Sequence, residues 1–262
     1  MNDVELAIAV VGEGAEVVRR QFGTALERIE KGAGDYATTA DIEAEEVMLK
    51  VLRRERPDDA VLGEELGRRG ASDGSRVWLI DPLCGTLNYG ARMRIVAVNA
   101  ALSMSGRLLV GAVADPFAGD VFWSDGRLAY VRASSLDAVV RPSASSRLVD
   151  LNFDPPFPSA PAFRAVMLAA DEEFVADFKP RVVSSSLALT WVATGQRAAY
   201  ITDGDVRDSV HFAAGLAICE AAGCSVSDLH GRTSGQGPDG LIVAADHQTH
   251  AALARLVRKQ RG

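Results

Sequence analysis

The sequence predicts a mixed α/β chain of two lobes, and three observations carry that prediction. The first half reads as helical patterns followed by short apolar runs separated by turns. The second half alternates strand-like and helical patterns. Between them, "NFDPPFPSAPAF" (Asn152 to Phe163) carries four prolines, a composition that interrupts regular structure. It places the lobes at 1–150 and 151–262 of one compact unit.

Residues 3–31 open the chain with Val4, Ala7, Ile8, Val11, Ala15, Val18 and Phe22 at helical spacing, which predicts one long helix. Gly12 and Gly14 in "VGEGAE" follow no strand and lack the later glycine of a dinucleotide motif, so they read as tolerated helical glycines. "TTAD" offers Thr38, Thr39 and Asp41 as caps for a second helix that carries Glu45 and Glu46 and stops at Pro57. "AVLGEE" is a short strand ending at Gly63, with Glu64 and Glu65 at its exit, and "VWLI" is another that delivers Asp81. "IVAVNAALSMSG", "LLVGAVADP" and "GDVFWSDG" follow, with turns near Gly106, Asp115–Pro116 and Gly126, and predict an antiparallel meander. Beyond the proline-rich stretch come strands near Arg181–Val183 and Ala198–Thr202, helices at Ser186–Thr194 and His211–Ala222, the strand "LIVAAD", and a last helix from His247 to Lys259.

The bulk properties narrow the function. The chain has 262 residues, 48% hydrophobic and 24% charged, enough for an ample core. A net charge of −7 argues against general binding to nucleic acid or to acidic membranes and leaves a small molecule as the expected partner. No run approaches 18 apolar residues, and the N-terminus carries acids before its apolar stretch, so neither a membrane span nor a signal peptide is expected. Cys84, Cys219 and Cys224 are odd in number and irregularly spaced, which fits reduced thiols in a cytoplasmic setting.

Glu64, Asp81 and Thr86 lie at the ends of short apolar strands, where neighbouring strand ends can bring hard oxygen ligands together. A single such acid more often only caps a turn. The combination is more specific. "GEEL" followed by "WLIDPLCGTLNYG" resembles the inositol monophosphatase family, whose signature runs W-x-I-D-P-[LI]-D-G-T-x-N-[FY]. The resemblance extends over nearly the whole chain, through "TTAD", "VAV" (96–98), "VATG" (192–195) and "FAAGLAICEAAG" (212–223). It implies a layered αβαβα sandwich of the inositol monophosphatase and fructose-1,6-bisphosphatase type, and a homodimer. The activity it implies is magnesium-dependent, lithium-sensitive phosphomonoester hydrolysis. By the same resemblance Glu64, Asp81 and the Leu83 carbonyl would hold a first metal. Asp41 would position water or a weak third metal, Thr86 paired with Asp41 would orient the attacking water, and Gly85 and Thr86 would meet the substrate.

The departures are as informative. In the family a second metal is held by three aspartates, and here those positions are Asp81, Cys84 and His211, with Val210 in place of a tryptophan. Each carboxylate lost removes an attraction of order 4 kcal/mol per unit of metal charge at 4 Å. Magnesium prefers oxygen and dehydrates reluctantly, so the expectation is one weak magnesium site, or no metal. Cys84 and His211 have three readings: they fill the space an ion vacated, they hold zinc with Asp81, or they pair as nucleophile and base. Space-filling is ranked ahead of zinc, and zinc ahead of the nucleophile pair.

The substrate side departs too. In "VVSSSLAL", Val183 stands at the family's glycine and Ser184 at its hydroxyl. In "DGDVRDS", Asp203, Asp205, Arg207 and Asp208 are either solvated loop residues or, for Asp205 and Arg207 together with His211, substrate contacts. His230, His247 and His250 read as surface residues. Three functions stay open: a phosphomonoesterase with a reduced metal site, a repurposed metal-independent isomerase, cyclase or lyase, and a non-catalytic ligand-binding relative.

Overall fold

Elements follow from local chemistry in chain order. In the computed structural model, which describes residues 1–32, 35–70, 75–153, 165–206, 208–232 and 239–260, α1 spans Asp3–Gln21. Asn2 caps it: its side chain accepts the Glu5 N–H at 2.9 Å while Glu5 Oε2 accepts the Asn2 N–H at 3.0 Å. The helix ends well short of residue 31. Phe22 is extended and Gly23 takes φ 78, a conformation that stops a helix. The chain then forms an antiparallel hairpin of β1 (Arg28–Gly32) and β2 (Asp35–Thr38). Every residue of β1 is exposed, so no apolar alternation marked it in the sequence.

Helix α2 (Thr39–Glu55) starts at Thr38 with Asp41 three residues on. There follow β3 (Ala60–Gly63), β4 (Gly67–Arg69), β5 (Arg76–Cys84), the short α3 (Thr86–Gly90), β6 (Ala97–Met104), β7 (Arg107–Ala114), β8 (Val121–Ser124), β9 (Ala129–Ala133) and β10 (Leu136–Val139). Eight strands make one sheet in the order β10-β9-β8-β7-β6-β5-β3-β4. β3 runs parallel to β5, and the other neighbours are antiparallel, including the β6–β7–β8 meander the turns predicted. α1 and α2 pack together and onto β5–β7. Leu6, Val10, Met48, Leu52, Trp78, Ile80, Val98 and Leu102 form the centre of that core.

The second unit has β11 (Leu148–Leu151), α4 (Ala165–Ala169), α5 (Glu172–Asp177), β12 (Lys179–Val182), α6 (Leu187–Ala193), β13 (Ala199–Thr202), α7 (Ala213–Ala222), β14 (Ser225–Ser227), β15 (Leu241–Ala244) and α8 (His247–Lys259). Its sheet runs β12-β11-β13-β15-β14, with β11 parallel to both neighbours and the remaining pairs antiparallel. Val149, Leu151, Phe174, Ile201, Ile242, Leu253 and Leu256 build its core. Asp150 is buried on β11, and Arg197 Nε reaches both its oxygens at 2.8 and 2.9 Å.

Each unit is a mixed sheet with helices packed on it, the α/β layering expected. The first unit comprises Met1–Val139, Ser185–Leu187 and Val210–Ile218, so the starts of α6 and α7 belong to it; the second comprises the rest. A cut between 150 and 151 falls inside β11, which pairs wholly within the second unit. Most of the proline-rich stretch lies outside the described residues. Among the described residues, no helix is long and apolar enough to cross a membrane.

Candidate functional site

Strand β5 places the central acid. Asp81 pairs with Asn99 of β6, and the register slips between Asp81 and Cys84, a bulge that takes Pro82 and Leu83 out of the ladder. Asp81 is fully buried, and its Oδ1 accepts the Leu83 N–H at 3.0 Å. Gly85 then takes φ 109, a left-handed conformation that suits glycine, and turns the chain into α3. The turn brings Thr86 Oγ1 2.9 Å from Asp41 Oδ1 and 3.2 Å from the Leu83 carbonyl. Asp41 is held on its other oxygen by the Thr38 N–H at 2.8 Å and the Thr38 hydroxyl at 2.5 Å. One carboxylate thus closes the start of α2 and receives the Thr86 hydroxyl. Burial raises the Asp41 pKa, against the lowering effect of the Thr38 and Thr86 hydrogen bonds.

Glu64 reaches the same place from β3. Because β3 lies parallel to β5, with Gly63 opposite Ile80, its end emerges beside Asp81. Lys31 Nζ donates to Glu64 Oε1 at 2.9 Å and to Glu65 Oε1 at 2.6 Å. Glu64 Oε2 is buried without a hydrogen-bond partner among the described residues and lies 3.9 Å from His211 Nδ1. Burial first, and then the charge of Asp81, push the Glu64 carboxyl well above its usual range. Glu45 braces this exit: its carboxylate accepts the Glu65 and Leu66 N–H groups at 2.8 and 2.9 Å. Gly63 permits that approach, since a Cβ there would fall 1.9 Å from Glu45 Oε1.

The third side is not made of carboxylates. His211 Nδ1 lies 2.8 Å from Asp81 Oδ2, an oxygen that Asn99 Nδ2 also approaches at 3.3 Å. Ser186 fixes the rest: its hydroxyl donates to Asn99 Oδ1 at 2.8 Å and its N–H to Cys84 Sγ at 3.3 Å. Ligand atoms of Asp81, Cys84 and His211 all lie within 4.8 Å of one another. The His211 side chain is 44% exposed, so it links a fully buried acid to solvent. Burial alone would lower its pKa, but the hydrogen bond and charge of Asp81 hold it well above the ordinary value. Burial is the largest influence and works to raise Asp81, but the charge and hydrogen bond of His211, with the hydrogen bonds of Glu64 and the Leu83 N–H, together leave Asp81 below the usual range. Burial and then Asp81 push the Cys84 thiol up.

The structure therefore brings together Asp41, Glu64, Asp81, Leu83, Cys84, Gly85, Thr86 and His211, all in the first unit. His211 sits in the turn ahead of α7, not in the helix the sequence predicted. Ser184 and Asp205 belong to the second unit, and Arg207 lies outside the described residues. Asp203 is not a bare solvated acid: its Oδ2 accepts the Ala165 N–H at 2.8 Å. His250 is also not a plain surface residue, since its Nε2 lies 2.8 Å from Ser227 Oγ. Lys31, Glu45, Asn99 and Ser186 escaped sequence reasoning. Asn99 had a signal, as a polar residue inside the apolar run "AVNAAL"; Glu45 had one too, four residues after Asp41 and so on the same helix face. Lys31 and Ser186 had none.

The model of the inositol monophosphatase family matches residues 2–261. An inositol-1-monophosphatase of Caulobacter vibrioides is 29% identical over 260 residues, covering 96% of this chain and 99% of its own. The Nus factor SuhB of Escherichia coli is 28% identical over 261 residues, covering 97% and 95%. Among solved structures, extragenic suppressor protein SuhB from Bartonella henselae superposes with a TM-score of 0.86 at 23% identity, covering 97% of this chain and 98% of that one. An IMPase from Thermotoga maritima gives 0.84 at 20% identity, covering 99% and 98%. At those identities the structural likeness speaks for the fold.

Proposed function

Because the chain belongs to the inositol monophosphatase family, we propose that it is a phosphatase-type hydrolase of a small phosphorylated metabolite, with a reduced hard-metal site. The observation that carries this reading is the Thr86–Asp41 hydrogen bond of 2.9 Å, set against Leu83 and Asp81.

Magnesium takes oxygen ligands and keeps several waters. Glu64, Asp81 and the Leu83 carbonyl fit that chemistry, and the buried, unpartnered Glu64 Oε2 is the kind of atom a cation would satisfy. Those three residues would hold the ion. When bound it would supply Lewis-acid polarisation of a phosphoryl oxygen. A second magnesium does not fit: beside Asp81 stand a thiol and an imidazole, and the imidazole already engages Asp81 Oδ2.

The remaining work falls to the chain's own groups. The Thr86 hydroxyl donates to Asp41, which leaves its oxygen lone pairs to accept from a water and orient it. Burial makes Asp41 more basic than an exposed aspartate, suited to receive the proton passed through Thr86. His211, cationic beside Asp81 and open to solvent on one side, places positive charge where phosphate oxygens would gather. Gly85 and Thr86 present the turn against which the phosphate would lie.

A second reading rests on the 2.8 Å Asp81–His211 contact. If that pair replaces the metal outright, the protein is a metal-independent isomerase, cyclase or lyase, or a ligand-binding relative. Phosphate release decides between them. Metal-stripped protein is assayed on inositol phosphates, sugar phosphates and phosphorylated nucleotides, with and without magnesium. The hydrolase reading expects release that depends on added divalent cation and falls about 100-fold or more in Thr86→Ala. Binding of a phosphate ester with no release under any divalent cation would support the second reading.

A further inference from the structure

We propose that Asp81, Cys84 and His211 form a binding site for a borderline-soft divalent metal, zinc foremost, with a fourth position open to solvent. The donors differ from the all-oxygen set magnesium needs, and they match what zinc takes: one carboxylate, one thiolate and one imidazole.

Geometry supports the assignment. The three ligand atoms already lie within 4.8 Å of one another. A tetrahedral zinc ion separates its nitrogen and oxygen ligands by roughly 3.4 Å. The His211–Asp81 contact of 2.8 Å would therefore open by about half an ångström on metal entry. His211 is the ligand free to move, because its side chain is 44% exposed while Asp81 is fully buried. The same exposure leaves one side of the ion to water, the arrangement of zinc sites with three protein ligands.

The neighbouring carboxylate, placed above among the groups that would hold magnesium, is also short of positive charge. Glu64 Oε2 is buried, lacks a hydrogen-bond partner among the described residues and lies 3.9 Å from His211 Nδ1. A divalent ion between Asp81 and His211 would add positive charge beside that oxygen. Supporting contacts are in place as well. Asn99 Nδ2 approaches Asp81 Oδ2, and the Ser186 N–H donates to Cys84 Sγ, which stabilises a sulfur carrying negative charge. Binding releases the Cys84 thiol proton and the proton shared between His211 and Asp81, and both pass to the buffer. Cys219 and Cys224 belong to another part of the molecule, where Cys219 donates to the Leu189 carbonyl.

The inference does not depend on hydrolysis, and its test reads metal coordination directly. The full-length, metal-stripped protein is titrated with cobalt(II), a spectroscopic stand-in for zinc, with zinc affinity measured by competition. The expected result is one equivalent of cobalt with a sulfur-to-metal charge-transfer band in the near ultraviolet. Cys84→Ser should abolish the band, His211→Ala should weaken zinc binding about 100-fold or more, and Cys224→Ser should change neither. Cys84→Asp, which keeps a ligand but removes sulfur, should retain a metal while losing the band. A band that survives Cys84→Ser, or a parent protein that takes up no cobalt at millimolar concentration, overturns the proposal. A cobalt band without phosphatase activity would leave this site standing and count against the hydrolase reading alone.

Discussion

Two aspartates in this molecule are equally buried, each on a sheet strand, and they are treated in opposite ways. Asp150 on β11 has its own permanent cation: Arg197 Nε meets both carboxylate oxygens. Asp81 on β5 has neighbours that add to its burden, with Glu64 and Asp41 close enough to feel its charge. Among the described residues its cationic partner is the half-exposed His211, whose charge is a proton that can leave. A carboxylate buried for structure comes with a guanidinium that cannot be titrated away. One buried among other acids is left short of positive charge, which costs stability and is what a cation-binding site requires.

Substitutions at the two aspartates should therefore separate. The largest effect is expected from Asp81→Asn, with phosphate release down about 1,000-fold or more. Its stability by urea denaturation should change by no more than about 1 kcal/mol, because losing the His211 pairing is offset by relief of repulsion with Glu64. A strongly destabilised Asp81→Asn protein would break the contrast.

Next in size, Arg197→Met should cost about 3–5 kcal/mol of stability, by leaving Asp150 buried without its guanidinium, without altering turnover in the folded protein. This loss carries a pH signature. Burial, opposed by Arg197, already sets the Asp150 carboxyl at about 6. A carboxyl raised in the folded state holds its proton more tightly there than in the unfolded chain, where it titrates near about 3.9. The favourable contribution of the protonated form is complete below the unfolded value and is lost as pH rises through the folded one. Losing Arg197 raises that carboxyl further, so the Arg197→Met deficit should be largest above neutral pH, shrink as pH falls toward 6, and level off below it, where both folded proteins hold the proton. A pH-independent deficit would mean that Arg197 acts by packing against Trp191, over whose ring its guanidinium lies at 4.8 Å.

The smallest effect is expected at Asn99. Asn99→Ala removes the contact to Asp81 Oδ2 and strands the Ser186 hydroxyl, at a cost of about 1–2 kcal/mol. It should also loosen His211 and Cys84 together, seen as a modest drop in cobalt or zinc affinity.

The contrast also explains which parts of the molecule the sequence could show. The β6–β8 meander was legible because its strands are apolar and turns punctuate it: Gly106 (φ 78) between β6 and β7, Asp115–Pro116 between β7 and β8, and Gly126 (φ 78) just after β8. The β1–β2 hairpin was not, since β1 is wholly exposed and the preceding apolar rhythm runs on through Phe22. In the site, Asp41, Glu64 and Thr86 drew attention because they fall where helices begin or a strand ends, and Asp81 because it follows an apolar run, although β5 continues past it through a bulge to Cys84. Asn99, Ser186 and Lys31 act through contacts from other elements, and such convergence has no spacing in the chain to read. Ser186 illustrates this: 102 residues separate it from the sulfur it supports.

The central claim is that β5 and β3 still present a hard-cation site, while the position beside it has changed its chemistry at Cys84 and His211. Calorimetric titration of metal-stripped protein with magnesium tests it most directly, comparing the parent with the double variant Cys84→Asp/His211→Asp. One weak site is predicted in the parent and a second, tighter uptake in the double variant, in which the carboxylates facing Asp81 are restored. Two tight magnesium sites in the parent, or no gain in the double variant, would contradict it.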